Sequence, residues 1–155
     1  MKKAITLLTF LLVILVAVSS VADELYYVLC KPGDYINLRM SPNRQSQSVG
    51  FLECGDTFVS DGDTENGFIH VLDRGDTDCW MFAGYATTDE PEDVFQTFVC
   101  VAKRRVACRR WIDGPLVIGY PWLKNGQFVD VWFIAGQWAV TNKGFIKIEW
   151  LEEDP

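Results

Sequence analysis

A chain of 155 residues that is 49% hydrophobic and 14% aromatic can build a packed core, which excludes a mostly disordered protein. Its 21 acidic residues outnumber its 14 basic residues and give a net charge of −7. Because an acidic surface repels phosphate backbones, we expect no nucleic-acid partner. The single histidine and the five cysteines, which show no C-x-x-C spacing, fall short of a zinc site, and we expect no metal and no cofactor.

The first predicted element is a secretory signal peptide over residues 1–22. Lys2 and Lys3 precede an apolar run from Ala4 to Val18, and Ser20-Val21-Ala22 supplies small residues for cleavage. This layout predicts a protein that is secreted or held in the cell envelope, in an oxidising compartment. Cleavage would remove two lysines and leave a mature charge of −9. The alternative is an uncleaved anchor, because the run is about as long as a membrane-spanning helix; otherwise we expect no membrane contact.

The rest of the chain consists of short alternating segments separated by Gly, Pro, Asn and Asp, a pattern that predicts an all-β fold. No window keeps apolar residues at helical spacing. The segments are VGFLECGDTFVS, NGFIHVL, CWMFAGY, FVDVW, GQWAVTN and GFIKIEW.

These segments repeat with a period of about 70 residues. Cys30 and Cys100 each precede an arginine by nine positions, in INLR and VACR, and a glycine follows the next strand's leucine by three positions in both copies. The closing strands are CWMFAGYA and GFIKIEWL, which align Trp80 with Phe145 and Tyr85 with Trp150.

The repeat predicts two domains, residues 23–86 and 97–155, joined by an acidic linker over residues 87–96. Charge divides in a similar way, since residues 23–93 hold 15 acidic and 4 basic side chains while residues 94–155 hold 6 and 8. The two copies therefore present surfaces of opposite character.

Each copy resembles a bacterial SH3 domain. The ordered series is a first strand, an "NLR" strand, a polar loop with proline, a "V-G-x-L-x-x-G-D" strand and turn, a "G-F/W-x-x-V" strand and a closing "G-W/F" strand, and the second copy departs from it with VACR. The resemblance implies two consecutive small SH3-like β-barrels. It also implies a targeting module that recognises peptidoglycan, often its peptide stems or cross-bridges.

Barrel construction accounts for many of the recurring residues. We expect Gly55 and Gly126 to occupy tight turns with positive φ. Burial of each inward side chain supplies about 1.5–3 kcal/mol. The expected inward residues are Leu38, Leu52, Phe58 and Val71 in the first copy and Cys108, Leu123, Val129 and Val140 in the second.

Aromatic residues of the second copy are candidates for ligand contacts. If Val129 and Val131 point inward, Trp132 lies on the opposite face, where the first copy has Asp61. Exposed aromatic clusters mark interaction sites, but a hydrophobic interface between the two barrels is an equally good interpretation. The candidates are Trp111, Trp122, Trp132 and Tyr120.

Exported cysteines are expected to form disulfides. Cys54 ends the strand before the first glycine turn and Cys79 begins a closing strand, so they are one candidate pair. Cys100 and Cys108 flank the basic segment VAKRRVA and are the second. Connectivity does not follow from sequence alone, so both pairings are hypotheses.

The acidic stretch DGDTENG, Asp61 to Gly67, is interpreted as a strand connection. A calcium loop of the EF type starting at Asp61 needs Gly at its sixth position and Glu at its twelfth, where this chain has Asn66 and Leu72. His70 lies in an alternating strand, and no pattern around a cysteine indicates a Cys-His nucleophile pair. We therefore expect no enzyme activity.

The sequence thus favours a secreted, non-catalytic binding module that recognises cell-wall peptidoglycan peptides. The alternative is a secreted protein that binds a secreted or surface protein, or inhibits an enzyme, without binding the wall.

Overall fold

The computed structural model describes residues 22–72 and 77–154. These residues form an all-β protein with fifteen strands and two short 3-10 helices. Neither helix is long and apolar enough to span a membrane, and this holds for all the residues described. The predicted signal peptide lies outside the described residues, except for Ala22.

The N-terminal half, described over residues 22–72 and 77–87, shows eight strands and one 3-10 helix, Ala83–Tyr85, in those residues. Strand β1 pairs with β4 and β8, while the order β3-β2-β7-β6-β5 forms a second sheet, and all these pairings are antiparallel. The strands are β1 (Glu24–Val28), β2 (Tyr35–Arg39), β3 (Ser48–Glu53), β4 (Thr57–Ser60), β5 (Thr64–Glu65), β6 (Phe68–Val71), β7 (Cys79–Phe82) and β8 (Ala86–Thr87).

The C-terminal half, residues 92–154, contains seven strands and the 3-10 helix Ile148–Trp150. Its main sheet has the order β14-β13-β12-β9-β15, and β10 pairs with β11. Strand β9 starts inside the segment 87–96, so the predicted linker is too long and only residues 88–91 connect the last strand of one half to the first strand of the next. The strands are β9 (Glu92–Cys100), β10 (Val106–Ala107), β11 (Trp122–Leu123), β12 (Phe128–Ala135), β13 (Trp138–Thr141), β14 (Gly144–Lys147) and β15 (Leu151–Glu153).

The two halves share a pairing scheme. The first strand of each half lies between the strand after the glycine turn and the last strand, as β1 between β4 and β8 and as β9 between β12 and β15. Arg39 pairs with Trp80, and Arg109 forms a bridge to Phe145. These are the residues that the sequence repeat aligns.

The glycine turns also correspond, and they correct the alignment of the first strands. Gly55 (φ 91°) donates its N–H to Val28 at 2.8 Å, and Gly126 (φ 76°) donates to Cys100 at 2.7 Å. Cys100 is therefore the structural counterpart of Val28 and not of Cys30. The equal spacing from cysteine to arginine conceals a connection that is two residues shorter in the second copy.

Each half encloses its own buried core. Leu38, Leu52, Phe58 and Val71 lie in the core of the N-terminal half, as predicted. Cys108, Leu123 and Val129 lie in the core of the C-terminal half, also as predicted.

The prediction for Val140 is wrong, because this residue packs in a third cluster between the halves. Val140 pairs with Phe145 just as His70 pairs with Trp80. Val140 is thus the counterpart of His70, and its side chain lies on the outer face of its strand. The position that points into the core of the half is one residue away.

The third cluster joins the two halves. Leu29 and Tyr85 of the N-terminal half enter it, and the N–H of Ile112 donates to the carbonyl oxygen of Gly84 at 3.1 Å across the junction. The contributing residues of the C-terminal half are Ile112, Trp132, Phe133, Ala135, Trp138, Val140 and Phe145.

Candidate functional site

Trp111 belongs to the junction between the halves. Its ring lies edge-on to Phe82, with the ring centres 4.9 Å apart, and 6.1 Å from the ring of Tyr85. A Cβ atom added to Gly84 or Gly114 would fall within 2.7 Å of the indole ring, so the ring occupies a slot between two glycines. Trp111 therefore helps to dock one half on the other, while its ring stays half-buried and lines a shallow cavity with Arg44 and Arg110.

Trp132 lies at a β-bulge of β12 and also belongs to the junction. The register of β12 shifts between Val131 and Phe133 against both neighbouring strands, and an extra residue of this kind redirects a side chain. Trp132 packs in the cluster that holds Leu29, with the Lys31 ammonium 5.7 Å from its ring centre. Trp111 and Trp132 thus both pack at the junction, as in the alternative interpretation, and each stays half-buried and lines a cavity.

A cleft of about 800 Å³ opens beside this junction, and both halves line it. Trp132 forms part of its wall. Other lining residues are Lys31, Tyr35 and Tyr85 from the N-terminal half, with Arg110, Tyr120 and Lys143 from the C-terminal half.

The cleft is basic although the chain as a whole is acidic. Lys31, Arg109, Arg110 and Lys143 line it, against the single carboxylate of Asp34. Within residues 22–72 and 77–154, only His70 makes ion pairs, so none of these four cations is paired with a carboxylate of that part of the chain. The arrangement suits a ligand that carries negative charge.

The loop between β10 and β11 presents apolar side chains beside the cleft. Ile118 is 88% exposed and Tyr120 is 91% exposed. The loop has an internal frame, because Arg109 Nη1 donates to the carbonyl oxygen of Gly114 at 2.6 Å and the N–H of Cys108 donates to Pro121 at 2.7 Å. Exposed apolar residues on such a framed loop are typical of an interaction site.

Tyr120 joins the main cleft to a smaller notch of about 350 Å³. The notch is also lined by Trp122, Phe128 and Lys143. Of the four residues predicted to contact ligand, Tyr120 and Trp122 are thus exposed together on one surface. Sequence reasoning missed Ile118, Phe128 and Lys143; the apolar run LVIGYPW is the signal that could have found Ile118.

The structure does not join Cys54 to Cys79 as the sequence suggested. The sulfur of Cys54 accepts from the N–H of Cys30 at 3.1 Å, whereas the thiol of Cys79 donates to the carbonyl oxygen of Val71 at 3.7 Å. Strand β3, which ends just before Cys54, does not pair with β7, which begins at Cys79, because β2 lies between them.

Cys100 and Cys108 lie in one core cluster, as free thiols. Burial, and to a smaller extent the neighbouring Cys100, raise the pKa of Cys108 to about 11. The structure therefore brings this second predicted pair into one neighbourhood without a bond between them.

His70 is held on the outer face of the N-terminal half by acidic neighbours. Its Nδ1 lies 2.9 Å from Asp61 Oδ2, its Nε2 lies 3.5 Å from Asp78 Oδ1, and its ring stacks on Trp80 at 4.9 Å. The stretch that begins at Asp61 thus forms a turn with a carboxylate that holds His70. Among the described residues, no group of three or more His, Cys, Asp or Glu side chains is placed to hold a metal ion.

This arrangement predicts a raised histidine pKa. Burial lowers the pKa of His70, but the hydrogen bonds and charges of Asp61 and Asp78 outweigh it and raise the pKa above 6.5. Protonated His70 then stabilises the fold below about pH 6.5, and the contribution is lost as the pH rises through the folded pKa. Because His70 is the only histidine, its ring-proton NMR signal gives the titration midpoint directly.

The Asp61→Asn variant is the control for this titration. It removes the charge that faces Nδ1, so the midpoint of His70 should fall relative to the wild type. The pKa of Asp61 itself is lowered, because the hydrogen bond and charge of His70 outweigh burial; its contribution is present above about pH 3.9 and lost as the pH falls through the lowered pKa. A wild-type midpoint at or below 6.5 would show that the contacts do not persist in solution.

Comparison with known proteins identifies no family. No protein-family model matches the chain, and no curated protein matches it. Among solved structures, the chain is similar to NlpC1 and NlpC2 from Trichomonas vaginalis, at 17% identity in each case. The alignments cover 85% of this chain and 46% of NlpC1 with a TM-score of 0.35, and 84% and 48% for NlpC2 with a TM-score of 0.34. The chain thus spans about half the length of these structures.

Proposed function

We propose that this chain is a secreted, non-catalytic binding module made of two consecutive SH3-like β-barrels of the bacterial type, residues 23–86 and 97–155. Its ligand would be a peptide of cell-wall peptidoglycan, held against the C-terminal half beside the cleft. The repeated strand pairing supports the two barrels, as does the 3-10 helix before the last strand of each half. The sequence resemblance and the predicted signal peptide support the wall as the place of binding.

The observation that carries the proposal is the exposed apolar segment Ile118–Trp122, where the β10–β11 loop leads into β11 at the edge of a basic cleft. The corresponding loop of the N-terminal half is Ser41–Gln47, which is polar throughout except for Pro42. Both loops are held by the preceding arginine, since Arg39 donates to Ser46 just as Arg109 donates to Gly114, each at 2.6 Å. Equivalent loops with opposite polarity favour a ligand contact on the C-terminal half alone.

The charges of the cleft favour a peptide with free carboxylates. Arg110 and Lys143 stand on the C-terminal side and Lys31 on the N-terminal side, and charge-assisted bonds from such groups to carboxylates are among the stronger hydrogen bonds. Peptidoglycan stem peptides combine free carboxylates with small alkyl side chains. The carboxylates would meet the basic side chains, and the alkyl groups would pack on Tyr120 and Trp122.

His70 lies away from the cleft. The chain's only histidine pairs with carboxylates on the outer face of the N-terminal half and is not among the residues that line the cleft. The cleft thus offers no histidine as a general base.

The test is retention of the protein on insoluble, purified peptidoglycan. The wild type should be retained, and Tyr120→Ala and Trp122→Ala should each weaken retention about tenfold or more, because aromatic anchors dominate the binding energy of such surfaces. Trp150→Ala is the matched control: Trp150 is 39% exposed against 45% for Trp122, but it lines a different groove beside Lys103–Arg105. It should bind like the wild type.

If Trp150→Ala and Trp122→Ala lost the same amount of retention, the ligand would bind elsewhere, or removal of any exposed tryptophan would weaken retention. A wild-type protein that is not retained at any salt concentration would refute wall binding. A secreted or surface protein would then be the partner to seek.

A further inference from the structure

Two cysteines of the N-terminal half lie against each other where the end of β1 meets the turn after β3. The sulfur of Cys54 lies 3.1 Å from the backbone nitrogen of Cys30 and 2.6 Å from its carbonyl oxygen. The N–H groups of Val28 and Gly55 hold these segments side by side, the first bonding to Asp56 and the second to Val28, both at 2.8 Å. The two thiols are therefore kept together by backbone bonds that do not depend on the cysteines.

We propose that Cys30 and Cys54 are a disulfide-forming pair, which closes when the protein meets a disulfide oxidant. This pair differs from the one that the sequence suggested for Cys54. It is independent of the ligand proposed above, because it concerns only the N-terminal half and the chemistry of its thiols.

The reaction is an exchange between two thiols and a small-molecule disulfide. The thiolate of Cys54 attacks one sulfur of the reagent, so that a mixed disulfide forms and the other half of the reagent leaves as a thiolate. Cys30 then loses its proton and attacks the sulfur of Cys54, which expels the second half of the reagent. The two cysteines lose two electrons and two protons, and the reagent gains them as two thiols.

The order of attack follows from the contacts of the two sulfur atoms. The hydrogen bond from the Cys30 thiol lowers the pKa of Cys54, with burial acting against it. The same bond, followed by burial, raises the pKa of Cys30. Cys54 is half-buried whereas Cys30 is buried, so the more acidic thiol is also the one a reagent can reach.

The bond would hold the segment that docks the halves. Cys30 stands between Leu29, which is buried in the cluster at the junction, and Lys31, whose ammonium faces the ring of Trp132. Cys30 also lines the cleft. A covalent link from Cys30 to the turn at Cys54 would therefore restrain the N-terminal wall of the cleft.

Tryptic mapping tests the pairing, because trypsin separates the relevant cysteines. The purified protein is treated with oxidised glutathione, its remaining thiols are alkylated, and it is digested without reduction. The expected product joins the peptide that ends at Arg39 to residues 45–74. A Cys54–Cys79 bond would instead join residues 45–74 to residues 75–103, and a Cys100–Cys108 bond would join residues 75–103 to residues 106–109.

Oxidation should also raise the Tm by about 5–10 °C, as expected for a bond that closes a loop of this length in a protein of this size. The rise in Tm that the Cys30–Cys54 bond causes should be absent in the Cys54→Ser variant and should remain in the Cys108→Ser variant. Recovery of Cys54 as an alkylated thiol after oxidation, or its linkage to any other peptide, would overturn the proposal. The mapping on the wild type stands even if a serine variant fails to fold.

Discussion

Replacing Leu29 with alanine is expected to lower the free energy of unfolding by about 2–5 kcal/mol. Leu29 is 1% exposed and is the aliphatic side chain by which the N-terminal half enters the cluster at the junction. Truncation leaves a cavity among Trp138, Val140 and Phe145 of the other half, which backbone bonds on both sides keep from collapsing. Denaturant unfolding followed by tryptophan fluorescence measures the change.

Leu25→Ala is the matched control, since it makes the same truncation on the same half at a side chain that is 48% exposed. Its effect should stay within about 0.5 kcal/mol. If the two variants lost the same stability, Leu29 would not be buried between the halves in solution. The cleft would then lose one of its two walls, and the binding proposal would have to be revised with it.

Replacing Gly84 with alanine is expected to cost about 1–3 kcal/mol through overpacking at the junction. The new Cβ would overlap an atom of the Trp111 ring and would fall 2.8 Å from the ring of Phe82. Gly114 also lies close against the indole, since a Cβ added there would fall within 2.7 Å of three ring atoms, so the ring has little room to shift within its slot. It must leave the slot, and the contacts with Phe82 and Tyr85 would be lost.

A double-mutant cycle separates this mechanism from a general cost of alanine at position 84. Once Trp111→Ala has emptied the slot, adding Gly84→Ala should cost little further, because both changes act on one contact. Gly50→Ala is the control, since its Cβ would meet only a Leu38 carbon at 3.8 Å and should change stability by less than about 0.5 kcal/mol. Additive losses from Gly84→Ala and Trp111→Ala would contradict the slot.

The docked halves give the candidate site its shape. Tyr35 and Lys31 on one side face Arg110, Tyr120 and Lys143 on the other, so neither half alone contains the cleft. The exposed loop on the C-terminal half, however, keeps its own frame of hydrogen bonds. Variants that weaken the junction should therefore impair ligand binding through the cleft while leaving the loop itself in place.

The local structure could be predicted from the amino-acid sequence, because strands and turns follow from short-range pattern. Alternating apolar residues predicted the strands, and Leu38, Leu52, Phe58, Leu123 and Val129 lie in the cores as expected. Glycines at the two turns adopt the positive φ that the pattern required. Arg39 and Arg109 align in structure as they do in sequence.

The predictions that failed were those that counted residues across a β-bulge or a loop. Val140 was placed inward, but the side-chain period of a strand is two, so a shift of one residue moves it to the opposite face. Cys30 was matched to Cys100 by equal spacing, although a shorter connection in the second copy puts Val28 in that place. Counting residues along the chain cannot detect that a connection has become shorter when the spacing between the matched residue types stays equal.

Which surfaces of the two halves meet depends on the packing of the whole chain. Trp111 and Trp132 could equally have been exposed or packed between the halves, and it is the approach of Gly84 and Leu29 from the other half that buries part of each. Cys54 lies beside Cys30 although 24 residues separate them, and His70 meets Asp61 and Asp78 from neighbouring segments. Such contacts depend on how the segments are placed against one another, and no alternation of residues within a strand encodes that.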